Sequence, residues 1–229
     1  MKIEIISIDI SEGKIKYHDD DLLLLSDKDK PKKVVPFFAE FTKNNYVNAD
    51  VVITLKSDII DILIMDIEKI ENKINRSTED HELELLNRSL DFIQEEVPLC
   101  DYKFDAEEKL FLESLSLISI KPTIQLEGNE EINEIIKLAI QKSNHMFFYT
   151  SGPKESHAWL MPKGSKIIDC AAKIHTDLSR GFIKGDVVSF EDYFKCYNFK
   201  ECKSKGFAKE VDRDHIVQPK DIIEIRFNV

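Results

Sequence analysis

The sequence is poor in glycine and lacks the glycine-rich loop that holds nucleotide phosphates. Only seven of its 229 residues are glycine. None stands in a GxxxxGK[S/T] pattern, in which backbone N–H groups surround the phosphates. Where such a loop would follow the first predicted strand, segment 8–14 reads IDISEGK, and its acidic side chains repel phosphate. We therefore expect no productive ATP or GTP hydrolysis and no enzyme of this kind.

Other common catalytic and metal-binding patterns are also missing. The four cysteines have no zinc-ligand spacing, and their small number suits reduced thiols rather than a disulfide framework. The six histidines show neither HxxxH nor HExxH spacing, and no GxSxG sequence occurs. The sequence predicts no catalytic residue, no cofactor and no metal ion.

Long apolar runs and an excess of basic residues are missing as well. No apolar run approaches the roughly 18 residues of a membrane span, and Met1–Glu4 lacks the start of a signal peptide. The net charge is −11, with 18 basic and 31 acidic residues up to residue 150 and 14 and 12 afterwards. We expect a cytoplasmic protein that binds neither membranes nor DNA, with any nucleic-acid contact in its C-terminal part.

Alternation of apolar and polar residues predicts strands at 1–8, 14–17, 34–41 and 50–55. The polar stretches between them, Asp19–Asp21 and Ser26–Lys33, are predicted to be connections. A further strand is predicted at 121–126 and an amphipathic helix at 130–142. The beginning of the chain therefore has the pattern of an α/β fold.

Two amphipathic helices with 3-4 apolar spacing lie between these strands. Their apolar positions are Ile60, Leu63, Ile67, Ile70 and Ile74, then Leu83, Leu86, Leu90, Ile93 and Val97. The short linker between them predicts an antiparallel helical hairpin that ends at Pro98. A third helix is predicted to start at Asp105, with Glu108 completing a capping box.

The last third of the chain carries the most specific motifs. Segment 162–165 reads PKGS, an apolar helix follows, and segment 174–177 reads IHTD. This combination closely resembles the TGS module, a small β-grasp domain. Segment 147–155 (FFYTSGPKE), the pair Ala158-Trp159 and the terminal RFNV resemble the C-terminal domain of the YchF (Obg-like ATPase) family.

The resemblance to this family extends more weakly into the first half. Segment 61–71 resembles the entry of a helical hairpin inserted in the family's GTPase domain, and 115–126 resembles its exit. Segment 31–36 resembles the strand before switch II, but no Asp-Gly follows Phe41. The base-reading Asn-x-x-Glu is also missing after 121–122. The resemblance implies that the nucleotide-binding motifs of the family have been lost.

Together these patterns predict an α+β chain of three parts. Residues 1–55 with 119–145 form a reduced α/β remnant of a G domain. Residues 56–118 form the antiparallel helical hairpin and the third helix. Residues 146–229 form a TGS-like, ubiquitin-like β-grasp domain. Since the chain ends in Phe-Asn-Val rather than Gly-Gly, it is not expected to act as a ubiquitin-like carrier.

The resemblance implies a translation-associated, non-catalytic binding module. Its expected partner is the ribosome, structured RNA or a translation-related protein. Two alternatives stay open at this point. The chain could bind ATP or GTP through a rebuilt site, or it could be a purely protein-binding regulator that pairs through the hairpin, for example with a full-length YchF homologue.

Four lysines in segment 200–209 are the main candidates for contacts to RNA or a partner. They are Lys200, Lys203, Lys205 and Lys209. With Phe199 and Phe207 interleaved, the segment has the composition that grips phosphate and stacks bases. The alternative is a solvated loop whose lysines keep an acidic protein soluble.

His175, in the IHTD motif, and the nearby Arg180 are the other candidates. In the structural interpretation, His175 and Asp177 bond to backbone groups and fix the loop after the helix. In the functional interpretation, the same loop contacts RNA or protein together with Arg180. The structural interpretation is favoured for His175.

Overall fold

The computed structural model describes residues 1–228, which form two units. Unit 1 consists of Met1–Ile15 and Phe38–Ser143, and unit 2 of Lys16–Phe37 and residues 144–228. The strands are β1 (Lys2–Ile6), β2 (Gly13–Lys16), β3 (Lys33–Val35), β4 (Phe38–Thr42), β5 (Val51–Leu55), β6 (Thr123–Leu126), β7 (His145–Ser151), β8 (Glu155–Pro162), β9 (Phe182–Val188), β10 (Lys209–Val211) and β11 (Ile222–Phe227). The helices are α1 (Asp20–Asp29), α2 (Ile59–Ile74), α3 (Asp80–Gln94), α4 (Ala106–Ser114), α5 (Ile132–Lys142), α6 (Ile167–Ile174), α7 (Thr176–Arg180), α8 (Phe190–Tyr193) and α9 (Phe199–Ser204).

Unit 1 contains a five-stranded sheet in the order β2-β4-β1-β5-β6. The central strand β1 runs parallel to both β4 and β5, and β5 runs parallel to β6. Ile3, Val52 and Ile53 are fully buried, as expected for parallel strands covered on both faces. The predicted strands at 1–8, 14–17 and 50–55 thus lie in one sheet.

A hydrophobic core in unit 1 joins α2, α3 and α4 to the residues before β6. It contains Leu63 and Ile70 of α2, Leu86 of α3 and Leu112 of α4. Asp66 is buried among them, and its carboxylate accepts hydrogen bonds from the backbone N–H groups of residues 118 and 119, each at 2.7 Å. The carboxylate therefore ties α2 to the turn that leads into β6.

The buried face of α2 differs from the predicted apolar seam. Leu63 and Ile70 are fully buried, but Ile60 is 40% exposed, whereas Ile59 and Ile62 are buried. The spacing could not settle the face because isoleucine occurs on both sides of this helix. The seam predicted through Ile60 is therefore wrong at that position.

Unit 2 contains a six-stranded sheet in the order β10-β9-β11-β7-β8-β3. β7 and β8 are antiparallel over their whole length, and β11 runs parallel to β7 and antiparallel to β9. Phe148 packs with Ile167 and Cys170 of α6 on one face, and Tyr149 packs with Tyr193 on the other. This arrangement follows from the alternation of side chains along a strand.

The prediction that the polar segments 19–21 and 26–33 are connections is wrong for residues 20–29, which form helix α1, whereas residues 30–32 do connect α1 to β3. The Asp19 carboxylate accepts backbone N–H bonds from Asp21 and Leu22 at the start of the helix. The helix ends at Asp29, and Lys30 directly after it adopts a left-handed conformation with φ 45°. Leu22 and Leu25 enter the core of unit 2, and this apolar face outweighs the polar residues on either side.

The single strand predicted at 34–41 is wrong, because the structure has two strands there. β3 belongs to the sheet of unit 2, and β4 belongs to the sheet of unit 1. Pro36 lies between them and has no N–H group for a continuous ladder. Residues 16–37, grouped with the G-domain remnant in the prediction, contribute α1 and β3 to unit 2.

Neither a bilayer-crossing helix nor a metal-binding cluster is found in residues 1–228. None of their helices has both the length and the apolar composition that crossing a bilayer demands. No group of three or more His, Cys, Asp or Glu side chains there could hold a metal ion. The four cysteines are unpaired, and burial raises the pKa of Cys170 and Cys202 to about 12, so both are thiols at neutral pH.

Candidate functional site

The turn between α6 and α7 holds two of the candidate residues. The Nδ1 atom of His175 accepts a hydrogen bond from the backbone N–H of Asp177 at 3.2 Å, at the start of α7. The Asp177 carboxylate also pairs with Arg180, whose Nη2 lies 2.9 Å away. His175 therefore makes a backbone contact of the kind that the structural interpretation requires, and its contact to RNA stays a prediction.

Two of the four candidate lysines are engaged in ion pairs within unit 2. The ammonium group of Lys203 lies 3.0 Å from Asp186 and 2.8 Å from Glu224. Lys205 lies 2.7 Å from Glu201, one turn earlier in α9. These carboxylates neutralise both lysines, so neither offers a free positive charge to a ligand.

Lys200 and Lys209 are the candidate lysines that remain available. Both are exposed, and neither ammonium group lies within 4 Å of a carboxylate in the part of the chain that the structure describes. Lys200 lies in the first turn of α9, which Asn198 caps by accepting the N–H of Glu201 at 2.9 Å. Of the four candidate lysines, these two therefore carry the positive charge that no carboxylate neutralises.

The two phenylalanines of the predicted basic-aromatic segment do not face solvent. Phe199 is buried in the core of unit 2, and Phe207 packs against it partly buried. Phe199 cannot stack on a base without leaving this core, whereas stacking by the partly buried Phe207 stays a prediction. Tyr197, which the sequence analysis did not select, is 84% exposed beside Lys200.

The backbone of Tyr197 is held from both sides although its ring is exposed. Its carbonyl and that of Cys196 accept hydrogen bonds from the partly buried ammonium of Lys28, at 2.8 and 2.7 Å. Its N–H donates to the Glu201 carboxylate. Lys28, Tyr197 and Lys200 line a cavity of about 290 Å³. An exposed aromatic ring on a fixed backbone next to a free ammonium group can stack on a base and contact a phosphate.

The carboxyl ends of the parallel strands in unit 1 mark a second region of interest, because open α/β sheets bind ligands there. Glu12, in the loop after β1, accepts the backbone N–H of Lys43 at 2.8 Å. Glu130 accepts the N–H groups of Glu127 and Gly128 after β6, at 2.8 and 2.9 Å. At these positions carboxylates occupy the N–H groups that could otherwise receive a phosphate.

Comparison with protein families gives a match for the C-terminal part of the chain. Residues 145–228 match the family YchF-GTPase_C, described as a protein of unknown function (DUF933). The ribosome-binding ATPase YchF of Mycoplasma genitalium is 33% identical over 104 residues, which are 45% of this chain and 28% of that protein. Obg-like ATPase 1 of Pongo abelii is 36% identical over 106 residues, 45% of this chain and 27% of its own length. The matched stretch thus spans less than a third of these curated relatives.

The fold as a whole resembles that of a solved YchF structure. The YchF GTPase of Schizosaccharomyces pombe superposes with a TM-score of 0.80 at 15% identity, covering 99% of this chain and 97% of that one. The similarity establishes a mixed α/β fold of the same kind. At this identity it shows the fold alone.

The expectation that this chain is not an enzyme is wrong. It was based on the missing nucleotide-binding motifs. The relatives that match part of this chain are named ATPases, which points to an enzyme family. The missing motifs describe only the loops in which they would lie. The fold depends on buried residues throughout the chain, so loop motifs alone do not identify the family.

Proposed function

We propose that this chain, whose residues 145–228 match the YchF-GTPase_C family, binds the ribosome through RNA contacts made by unit 2. The relatives are named ribosome-binding ATPases, which places them in a translation-associated NTPase family. The observation that carries the proposal is the exposed Tyr197 beside the exposed, unpaired Lys200, with a second exposed, unpaired lysine, Lys209, elsewhere in unit 2. A free ammonium group beside an exposed aromatic ring, with a second free ammonium group in the same unit, suits ribosomal RNA better than a protein partner.

We also propose that unit 2 contains a β-grasp domain, formed by β7 to β11 with α6. In this fold a β-hairpin and a second pair of strands form one sheet, and a helix packs on one face of it. The first and last strands are adjacent and parallel at the centre of the sheet. The order β10-β9-β11-β7-β8 and the parallel pairing of β7 with β11 support this assignment. The five-residue link between α2 and α3 likewise supports the helical hairpin in unit 1.

Neutralising the two free lysines tests the ribosome proposal. We expect the Lys200→Gln, Lys209→Gln double variant to pellet with purified ribosomes about tenfold more weakly than the unaltered chain at moderate salt. Each lost phosphate contact should lower the slope of log affinity against log salt by about one, so the slope should fall by about two. Co-sedimentation across a salt series measures both quantities.

The matched control removes two other exposed lysines of unit 2, Lys154→Gln with Lys163→Gln. This control changes the net charge by the same amount, and its affinity for ribosomes should stay within about twofold of that of the unaltered chain. Equal weakening by both double variants would show that only the overall charge matters. Salt-insensitive pelleting that neither variant changes would contradict an RNA contact by this surface.

A further inference from the structure

Unit 1 contains a cavity of about 450 Å³ that the proposed ribosome contact does not use. It lies at the amino ends of two parallel strands, because the turn Tyr46–Asn48 precedes β5 and Pro122 immediately precedes β6. This is the edge of the sheet opposite to the one at which open α/β sheets hold nucleotides. The lining residues are Tyr46, Val47, Met65, Lys69, Lys109, Glu113, Ser116, Leu117, Ile118, Ile120, Lys121 and Pro122.

The apolar part of the lining is both deep and exposed. Leu117, Ile118 and Ile120 are buried, whereas Val47 is 78% and Met65 is 42% exposed. A ligand that covers these last two side chains removes apolar surface from water, which favours binding. The volume falls within the range of small-molecule sites, and mainly apolar walls with few polar groups are typical of such sites.

The charged part of the lining is mostly basic, although unit 1 belongs to the acidic half of the chain. Three ammonium groups, those of Lys69, Lys109 and Lys121, face one carboxylate, that of Glu113. Lys109 lies 3.9 Å from Glu113, and Lys69 lies 3.9 Å from the buried Asp66. These two lysines therefore have partial partners already.

The ammonium group of Lys121 is the best placed of the three to bind an anion. Its Nζ donates to the carbonyl oxygens of Val47 and Ala49, each at 2.8 Å, and no carboxylate in residues 1–228 lies within 4 Å of it. An ammonium group has three N–H donors, so one remains. Burial lowers the pKa of Lys121 because its charge has lost water, and an anion at the third N–H would compensate for that loss.

We propose that this cavity binds a small amphipathic anion, an aliphatic or aromatic body that ends in a single carboxylate or sulfonate. The anionic head lies at Lys121, and the apolar body covers Met65, Val47 and the buried isoleucines. A neutral apolar molecule would leave the desolvated ammonium without compensation. A polyanion would bring more negative charge than the remaining donor can receive. The site is independent of the ribosome contact in unit 2.

Titration of the whole chain with 8-anilinonaphthalene-1-sulfonate tests this proposal by fluorescence. We expect saturable binding of one dye per chain with a blue-shifted emission. N-phenyl-1-naphthylamine, which has the same rings and no sulfonate, should bind about tenfold more weakly because it lacks the charge-assisted hydrogen bond. Sodium decanoate should displace the sulfonate dye, and ATP with magnesium should not.

Two variants and one control locate the dye. Lys121→Gln keeps amide donors for the two carbonyls but removes the charge, and Met65→Glu adds a carboxylate at the mouth. Each should weaken dye binding about tenfold. Ile64→Glu is the matched control, since Ile64 is 56% exposed on the same helix and does not line the cavity. Its dye affinity should stay within about twofold of the unaltered chain.

Three results would overturn the proposal. They are several dyes per chain, equal losses in Met65→Glu and Ile64→Glu, or displacement by ATP with magnesium but not by decanoate. Ribosome co-sedimentation of Lys121→Gln should match that of the unaltered chain. Failure of the cavity proposal is therefore distinguishable from failure of the ribosome proposal.

Discussion

Trp159 is the only tryptophan in the chain, and its ring stacks on His157 in unit 2. The ring centroids are 3.5 Å apart, and the indole N–H donates to Thr150 at 3.0 Å. Burial lowers the pKa of His157 below its ordinary value of 6.5, an effect that the Glu155 carboxylate at 3.2 Å opposes and Lys33 reinforces. The indole therefore reports on the protonation of one particular histidine.

Acidification should quench the fluorescence of Trp159 with a midpoint below pH 6.5, since a stacked imidazolium ring quenches indole fluorescence. The unfolded chain binds this proton at higher pH than the folded chain does. The part of the folding free energy that depends on neutral His157 is therefore fully present above pH 6.5. It is lost as the pH falls towards the lowered pKa. We expect a lower urea midpoint at about pH 5.5 than at about pH 7.5.

His157→Gln should remove the quenching and flatten this part of the pH dependence. His175→Gln, which alters an exposed imidazole in the same unit, serves as the control and should behave like the unaltered chain. Fluorescence titration and urea unfolding measure the two effects. Quenching that persists in His157→Gln would assign it to another group.

Single-residue roles were predictable where the partner is close in sequence. The contact of His175 with the N–H of Asp177 spans two residues, and the motif itself indicated it. The pairing of Lys203 was not predictable, because Glu224 lies 21 residues away and approaches only through the sheet. Tyr197 was missed because nothing in a sequence separates an exposed aromatic ring from the buried Phe199.

Helix α2 shows how a face can be misassigned when the helix itself is correctly predicted. Its apolar residues occur on more than one side, and the polar Asp66 occupies a buried position. The carboxylate is acceptable there because two backbone N–H groups satisfy it. The capping box of α4, by contrast, forms as predicted between Asp105 and Glu108, since it depends on neighbours within one turn.

Alanine substitutions in α2 should separate the observed face from the predicted seam. Ile70→Ala empties a fully buried position and should cost ~2–5 kcal/mol of unfolding free energy. Ile60→Ala makes the same chemical change at a half-exposed position and should cost about 1 kcal/mol or less. Urea unfolding of both variants provides the comparison, and equal losses would contradict the observed face.

Unit 2 is assembled from two distant parts of the chain. The family match begins at residue 145, yet Leu22 and Leu25 of α1 lie in the core of this unit, and β3 pairs with β8. The sequence motifs located the C-terminal domain because they are contiguous. They could not indicate that residues 16–37 complete it, since that depends on contacts across more than a hundred residues.

Excision of unit 2 tests this assembly. We expect a fragment of residues 144–229 to be poorly folded, because its core lacks the two leucines. A chain that joins residues 16–37 to 144–229 should fold cooperatively. A Gly-Ser linker of about eight residues spans roughly 16 Å, and the rings of Phe37 and Phe147 are only 5.5 Å apart. Circular dichroism and thermal melting compare the fragment with the joined chain. Equal melting temperatures of the two proteins would contradict a structural role for residues 16–37.

The order of assembly on a translating ribosome follows from the position of α1. Its Leu22 is synthesised 200 residues before Ile222, which lies in the same core. At about 5–20 residues per second, roughly 10–40 s pass between the two. During that time the core that receives the apolar side of α1 is incomplete, while residues 38–143 of unit 1 are being synthesised. Unit 2 therefore completes its folding only after β11 has been made, and until then the apolar side of α1 needs protection on the nascent chain.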